Sequence, residues 1–227
     1  MLVGKQIVVT LLFIAFIGGI VFLAQSGNNS SSLSLKFTTP TPDISQIPDK
    51  IDPINDPKEQ QAVQQAQQQT QQQQLQAALN DIKTASITAV IKTSKGDISL
   101  LLDGKNAPIT VYNFVQRAKN NYFNNLTFHR VEAWVIQGGD PNGDGSGGGN
   151  IPVEFNNNPF TAGSLGQASR GDGKVQNDSQ FFITKSDASW LNGKYTNYGS
   201  VISGMDVVTQ IEIGDKIQSI SVTQVNQ

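Results

Sequence analysis

Hydrophobic and polar residues alternate through residues 86–102, SITAVIKTSKGDISLLL, with Lys95-Gly96 at the centre of the run. Successive side chains of a strand point to opposite faces, so this alternation predicts two half-buried strands joined as a β-hairpin. The period then changes. Val111, Phe114, Val115 and Ala118 recur at helical spacing, and Pro108 suits a first turn, which predicts a helix over residues 107–120. Residues 126–136 read as strand, interrupted near Glu132 and Ala133, and 141–150 form a glycine-rich loop. Short apolar runs at 163–168, 181–184 and 198–202 predict further strands. A short helix over 205–211 and a last strand over 217–222 complete the pattern. Many short strands with two helices point to an all-β domain, a closed or nearly closed antiparallel barrel.

The first third of the chain follows a different pattern. Residues 7–24, IVVTLLFIAFIGGIVFLA, carry no charge and are just long enough to cross a hydrocarbon layer of about 30 Å. Lys5 precedes the run and the next basic residue is Lys36. That asymmetry places residues 1–6 in the cytoplasm and the rest outside. The reading is a retained signal-anchor in the cell membrane, with a cleaved signal peptide at Ala24-Gln25-Ser26, and hence a secreted domain, as the alternative. Residues 25–81 read as a disordered Ser/Pro/Gln-rich linker. Within it, Ala62, Val63, Ala66, Leu75, Ala78 and Leu79 leave open a weakly amphipathic helix, against the preferred reading of a polar spacer. An oligomerising coil there would have a thin seam made mostly of alanine, so a monomer is expected. The folded domain is expected over 82–227.

Composition narrows the chemistry. The 227 residues include no cysteine and one histidine, His129, and the formal net charge is −2. Disulfides, thiol nucleophiles, cysteine-based metal sites and a lipid-anchoring cysteine are excluded, as is a two-histidine zinc helix. The near-neutral charge gives no footprint for a nucleic-acid partner. Asp140-Pro141-Asn142-Gly143-Asp144-Gly145 opens like a calcium loop, but Ile151 stands at the twelfth position where a bidentate glutamate is needed. The glycines from 145 to 149 lack the lysine and the strand-loop-helix setting of a phosphate cradle. His129 and Arg130 are neighbours on a strand and should face opposite ways, which makes His129 a hydrogen-bonded packing residue and not a base. Glu132 and Asp140 form no evident acid-base pair. No metal site and no cofactor are expected.

Three ordered blocks carry more specific information. They are Phe128-His129-Arg130-Val131-Glu132-Ala133-Trp134-Val135-Ile136-Gln137-Gly138-Gly139-Asp140-Pro141, then Ser179-Gln180-Phe181-Phe182-Ile183-Thr184, then Trp190-Leu191-Asn192-Gly193-Lys194-Tyr195-Thr196. Tyr198-Gly199 and Gly204-Met205-Asp206-Val207-Val208 follow. Together they resemble the cyclophilins over essentially the whole 82–227 domain. The resemblance implies an eight-stranded antiparallel β-barrel with two capping helices. It also implies a peptidyl-prolyl cis-trans isomerase acting on proline-containing polypeptides, without cofactor or covalent intermediate.

The resemblance further implies that Arg130 is central. Its guanidinium would donate to the prolyl nitrogen as the bond twists and that nitrogen gains a lone pair. Trp134, Val135, Phe182, Leu191 and Tyr195 match the proline pocket, and Gln137 the glutamine that bonds the substrate backbone. Ala168, Ser169 and Arg170 match an edge that aligns the peptide, Gln180 a polar wall, and Trp190 a tryptophan that helps bind cyclosporin. The sequence departs from the family pattern at several positions. Trp134 replaces phenylalanine, Val135 replaces methionine and Tyr195 replaces histidine. One residue and the usual proline are missing between Arg130 and Gln137, and the loop over 171–178 is longer. The expected function is isomerisation of X-Pro bonds in extracytoplasmic proteins. The alternatives are a proline-peptide binding or chaperone module with little turnover, and a structural tether.

Overall fold

The computed structural model describes residues 57–169, 171 and 173–226. The apolar run over 7–24 and the linker up to residue 56 lie outside them, as does Arg170. Among the described residues no helix is long and apolar enough to cross a membrane.

The chain forms α1 (Pro57–Thr84), β1 (Ser86–Thr93), β2 (Gly96–Leu102), α2 (Pro108–Lys119), β3 (Phe128–Val131) and β4 (Val135–Gly138). It continues with β5 (Asn150–Pro152), β6 (Ser164–Gln167), β7 (Val175–Asn177), β8 (Phe181–Thr184) and a 3₁₀ turn (Ser189–Leu191). Then come β9 (Asn197–Ser203), α3 (Met205–Gln210) and β10 (Ile217–Val225). Eight strands make one antiparallel sheet in the order β10-β1-β2-β9-β6-β8-β4-β3, and β5 pairs with β7 as a separate ribbon.

The sheet curls as a half-barrel, where the sequence predicted a closed or nearly closed barrel. Its edge strands β10 and β3 share no ladder of their own. The segments that lead into them are stitched at one end. Thr127 bridges Lys216, Asn125 N–H donates to Ile217 O at 2.8 Å, and Phe128 N–H donates to Asp215 O at 2.9 Å.

The predicted periodicities account for most of the core. Ile87, Ala89 and Ile91 of β1 and Ile98, Leu100 and Leu102 of β2 are buried, while the residues between them are less so. On α2, Val111, Phe114, Val115 and Ala118 face inward. Pro108 occupies the first turn of α2, and the freed N–H groups of Ile109 and Thr110 donate to the Glu154 carboxylate at 3.0 and 2.7 Å. A carboxylate there satisfies orphan donors and complements the helix dipole. Phe181 lies at the centre of the main core, edge-on to Phe114, Phe123 and Phe128. Strand β8 is buried on both faces, so Phe182 enters a second, smaller cluster with Val135, Phe160, Ala188 and Leu191.

The glutamine-rich stretch is helical from Pro57, where the spacer reading expected no fixed structure. Glutamine, alanine and leucine are all good helix formers, Glu59 stands in the first turn and Lys83 in the last. At 28 residues the helix is about 42 Å long. Most of it is exposed, but Ile82 is 3% exposed and joins the main core. Gly104 makes room for it, since a Cβ at 104 would stand 2.2 Å from Ile82 O. The domain boundary expected at residue 82 therefore falls inside a continuous helix. Ile82→Ala should cost about 2–5 kcal/mol, as for other buried Ile-to-Ala truncations. Urea unfolding monitored by circular dichroism checks this, and an unchanged midpoint would show that α1 is not anchored through Ile82.

Candidate active site

Strand register builds the site. Arg130 of β3 lies opposite Gln137 of β4, Gln137 opposite Phe182 of β8, and Phe182 opposite Gly166 of β6. Directly opposed residues share a face, so these four form one row across the sheet. Phe128, two residues before Arg130, is fully buried in the main core. Regular alternation would send Arg130 into that core as well. The register shifts by one residue between Phe128 and Arg130, and this bulge turns Arg130 to the outer face. Gly166 keeps the row open, because a Cβ there would lie 2.1 Å from the Phe182 ring.

Above the row is a cavity of about 370 Å³. Phe182, Leu191 and Tyr195 supply its apolar floor and side, Arg130 and Gln137 one wall, Ala168 and Ser169 the facing edge. Trp134 and Trp190 meet edge-on at 5.3 Å and form the rim. Phe160 stacks on Phe182 from below at 5.6 Å, and Tyr195 stands edge-on to Phe182 at 5.8 Å. Of the twelve residues expected at the site, nine line this one cavity. Val135 does not, being fully buried beneath it. Gln180 is also buried and acts through Gln137, while Arg170 lies outside the described residues. The Trp134 indole stands at the rim and does not fill the space. Ala168 donates its N–H to Gln180 O and accepts from Asn177 N–H, so both its backbone groups are engaged within the fold.

A directional chain of amides runs to Arg130. Gln180 Nε2 donates to Gly145 O and Gly147 O at 3.0 and 2.9 Å, and Gln137 Nε2 donates to Gln180 Oε1 at 3.0 Å. Arg130 Nη1 then donates to Gln137 Oε1 at 3.1 Å. The loop that supplies the carbonyls is organised by Asp140, whose two carboxylate oxygens accept backbone N–H groups from Asn142, Asp144, Gly145 and Gly147. Asp140 is thus occupied by backbone N–H groups, and among the described residues no group of three or more His, Asp or Glu side chains is placed to hold a metal ion.

Two charged residues of the site were not among the sequence expectations. Glu132 accepts from Arg130 Nε at 2.7 Å and from Trp134 Nε1 at 2.9 Å. The hydrogen bond from Arg130 holds the Glu132 carboxyl below the usual carboxylate range. Lys194 stands exposed on the lip of the cavity. A larger hollow of about 520 Å³ lies elsewhere, lined by Leu101, Asp103, Asn158 and Ser200 among others. Its charged group, Asp103, is already bonded to Asn106 and Asn158, and it has no aromatic floor.

The family model described as cyclophilin type peptidyl-prolyl cis-trans isomerase/CLD matches residues 88–226. Peptidyl-prolyl cis-trans isomerase 9 of Schizosaccharomyces pombe is 41% identical over 138 residues, covering 56% of this chain and 22% of that protein. A peptidyl-prolyl cis-trans isomerase of Helicobacter pylori is 42% identical over 139 residues, covering 58% of this chain and 84% of that protein. The chain thus spans about a fifth of the length of the fission-yeast relative and most of the bacterial one. Among solved structures, a Cryptosporidium parvum cyclophilin type peptidyl-prolyl cis-trans isomerase superposes with a TM-score of 0.58 at 29% identity. The match covers 63% of this chain and 99% of that one. A crystal structure of the same parasite protein in the presence of the dipeptide Ala-Pro matches with a TM-score of 0.54 at 28% identity, covering 62% of this chain and 99% of that one.

His129 occupies the bulge, next to Gly145 and off the cavity. Both its ring nitrogens are buried without a hydrogen-bond partner, where the sequence predicted a hydrogen-bonded packing residue; burial among its neighbours fixes the ring instead. Burial lowers its pKa below the ordinary 6.5, and the Arg130 charge acts in the same direction, against Asp140 and Asp144. Above about pH 6.5 the imidazole is neutral both folded and unfolded. Below it, down to the lowered folded value, the unfolded chain takes up a proton that the folded chain refuses, so stability falls as pH falls. His129 is the chain's only histidine. The urea midpoint should therefore drop between about pH 7.5 and pH 5.5, and His129→Asn should flatten that slope. An unchanged slope in the variant would assign it to other groups.

Proposed function

Because the chain belongs to the cyclophilin type peptidyl-prolyl cis-trans isomerase family, we propose that its cavity binds X-Pro segments of polypeptides and accelerates their cis-trans isomerisation. Amide resonance sets a rotation barrier of about 18–20 kcal/mol. The two X-Pro isomers differ by only about 0.5–1 kcal/mol and interconvert over tens to hundreds of seconds. Lowering that barrier requires no bond making, only tighter binding of the twisted imide than of either planar form.

The observation that carries the reading is one guanidinium set at the wall of an apolar floor. The proline ring would rest on Phe182, Leu191 and Tyr195. Burying three ring methylenes contributes roughly 2 kcal/mol at about 0.8 kcal/mol each. Two Arg130 donors are engaged by Glu132 and Gln137, which leaves one hydrogen of Nη1 and both of Nη2 for substrate. As the imide rotates, its nitrogen loses conjugation and becomes an acceptor. A donor fixed beside it binds the rotated state better than the flat one. Lysine offers no such planar set of donors.

The hydrophobic run over residues 7–24, with Lys5 on one side, supports a membrane-anchored domain that acts on proteins outside the cytoplasm. Its clients would then be secreted or envelope polypeptides with slow X-Pro bonds. Cyclosporin, through Trp190 at the rim, is a candidate inhibitor.

Arg130→Ala should lower kcat/KM by about 10²–10³-fold, the usual effect of deleting one preorganised donor. Exchange spectroscopy on a proline peptide at equilibrium measures it without coupling enzymes. Full exchange catalysis by the variant would refute the mechanism. Peptide binding by the parent without exchange would favour a binding module instead.

A further inference from the structure

We propose that Glu132 is a positioning residue for the isomerisation, holding Arg130 and Trp134 in fixed orientation through one carboxylate. The inference rests on the isomerase reading of the cavity and identifies what keeps its central donor in place.

The three side chains follow an alternating pattern, Arg130-x-Glu132-x-Trp134, through the β3–β4 turn. The turn is closed by the Glu132 N–H donating to Val135 O at 2.8 Å. Each Glu132 oxygen has its own donor, Oε1 taking Arg130 Nε at 2.7 Å and Oε2 taking Trp134 Nε1 at 2.9 Å. The Arg130 guanidinium carbon also lies 5.3 Å from the centroid of the Trp134 ring. Both donors line the cavity, and Glu132 itself does not.

A guanidinium on a long side chain has many rotamers, and one hydrogen bond leaves its plane free to turn. Gln137 holds the Nη1 side. Glu132 holds the Nε edge, and two bonds along different directions fix the plane. The unengaged hydrogens then point away from both anchors. On the other oxygen, the indole N–H decides which way the Trp134 ring lies at the rim. A phenylalanine at 134 would have no N–H to give, so the glutamate and the tryptophan form a matched pair. The plainer reading is an exposed ion pair, since the Arg130 and Glu132 side chains are 41% and 46% exposed, and such pairs contribute little to stability. The two readings differ in turnover, not in folding.

The test compares the parent with Glu132→Ala and Glu132→Gln, using exchange rates at saturating and subsaturating proline peptide, thermal unfolding, and NMR of the Arg Nε–H and Trp indole N–H signals. The chain has two tryptophans, so Trp190→Phe assigns the indole signal of Trp134. In Glu132→Ala, kcat should fall about tenfold with KM changed less than threefold, as expected when a catalytic group is misplaced and not removed. The melting temperature should hold, and the Arg130 Nε–H and Trp134 indole signals should shift or broaden. Glu132→Gln keeps one acceptor and should recover part of the rate. Unchanged kcat in Glu132→Ala overturns the proposal, as does a rate loss that tracks a fall in melting temperature. A parent that binds peptide without exchanging it refutes the isomerase reading itself, whatever the NMR signals report.

Discussion

The Arg130 guanidinium holds its place at the edge of an apolar floor because the sheet delivers it there and its neighbours pin it. An unpaired cation lying against aromatic and aliphatic carbon would otherwise turn toward water. Three features prevent this. The bulge after Phe128 directs the side chain outward. Gln137, fixed by Gln180 and through it by the Gly145 and Gly147 carbonyls, holds one side of the guanidinium. Glu132 holds the Nε edge. The loop organised by Asp140 is thus linked to the wall of the cavity through the side chains of Gln180, Gln137 and Arg130 in series.

The floor has a comparable dependence on the fold. Strand β8 is buried on both faces, so Phe181 can serve the main core while Phe182 serves the cavity. Gly166 on the next strand gives the Phe182 ring its space. Stability and binding surface are therefore supplied by adjacent residues of one short strand. A change at either position would be felt through the other by way of the backbone they share.

Much of the fold was legible because its elements are strongly periodic. The β1–β2 hairpin, the inward face of α2 and the break between β3 and β4 all followed from apolar spacing and turn residues. The open edge between β10 and β3 did not, because closure depends on how far two distant strands overlap, which local pattern does not record. The helix at 57–84 has too thin an apolar seam to predict more than a spacer, and its attachment through Ile82 is a tertiary fact. The capping of α2 by Glu154 likewise joins residues far apart in sequence. At the site, the ordered motifs contain seven of the nine predicted residues that line the cavity, and the edge segment at Ala168 and Ser169 adds the other two. Val135 lies beneath the cavity and not in its lining, and burial beneath a cavity and exposure within it look alike in sequence. Glu132 offers no signal of its role in sequence, because as a carboxylate it suggests an acid-base partner for Asp140 and not a hydrogen-bond acceptor for its neighbours. Its actual partners, Arg130 and Trp134, stand two residues away on either side and donate to it.

Direction, and not positive charge alone, would make Arg130 effective in an isomerase. Arg130→Lys separates the two, since it keeps the charge and most of the stem and removes the planar donors. Exchange rates on a proline peptide, measured at saturation, give the answer directly. The account predicts that the lysine variant turns over about as poorly as the alanine variant while still binding the peptide. Turnover near that of the parent would contradict it.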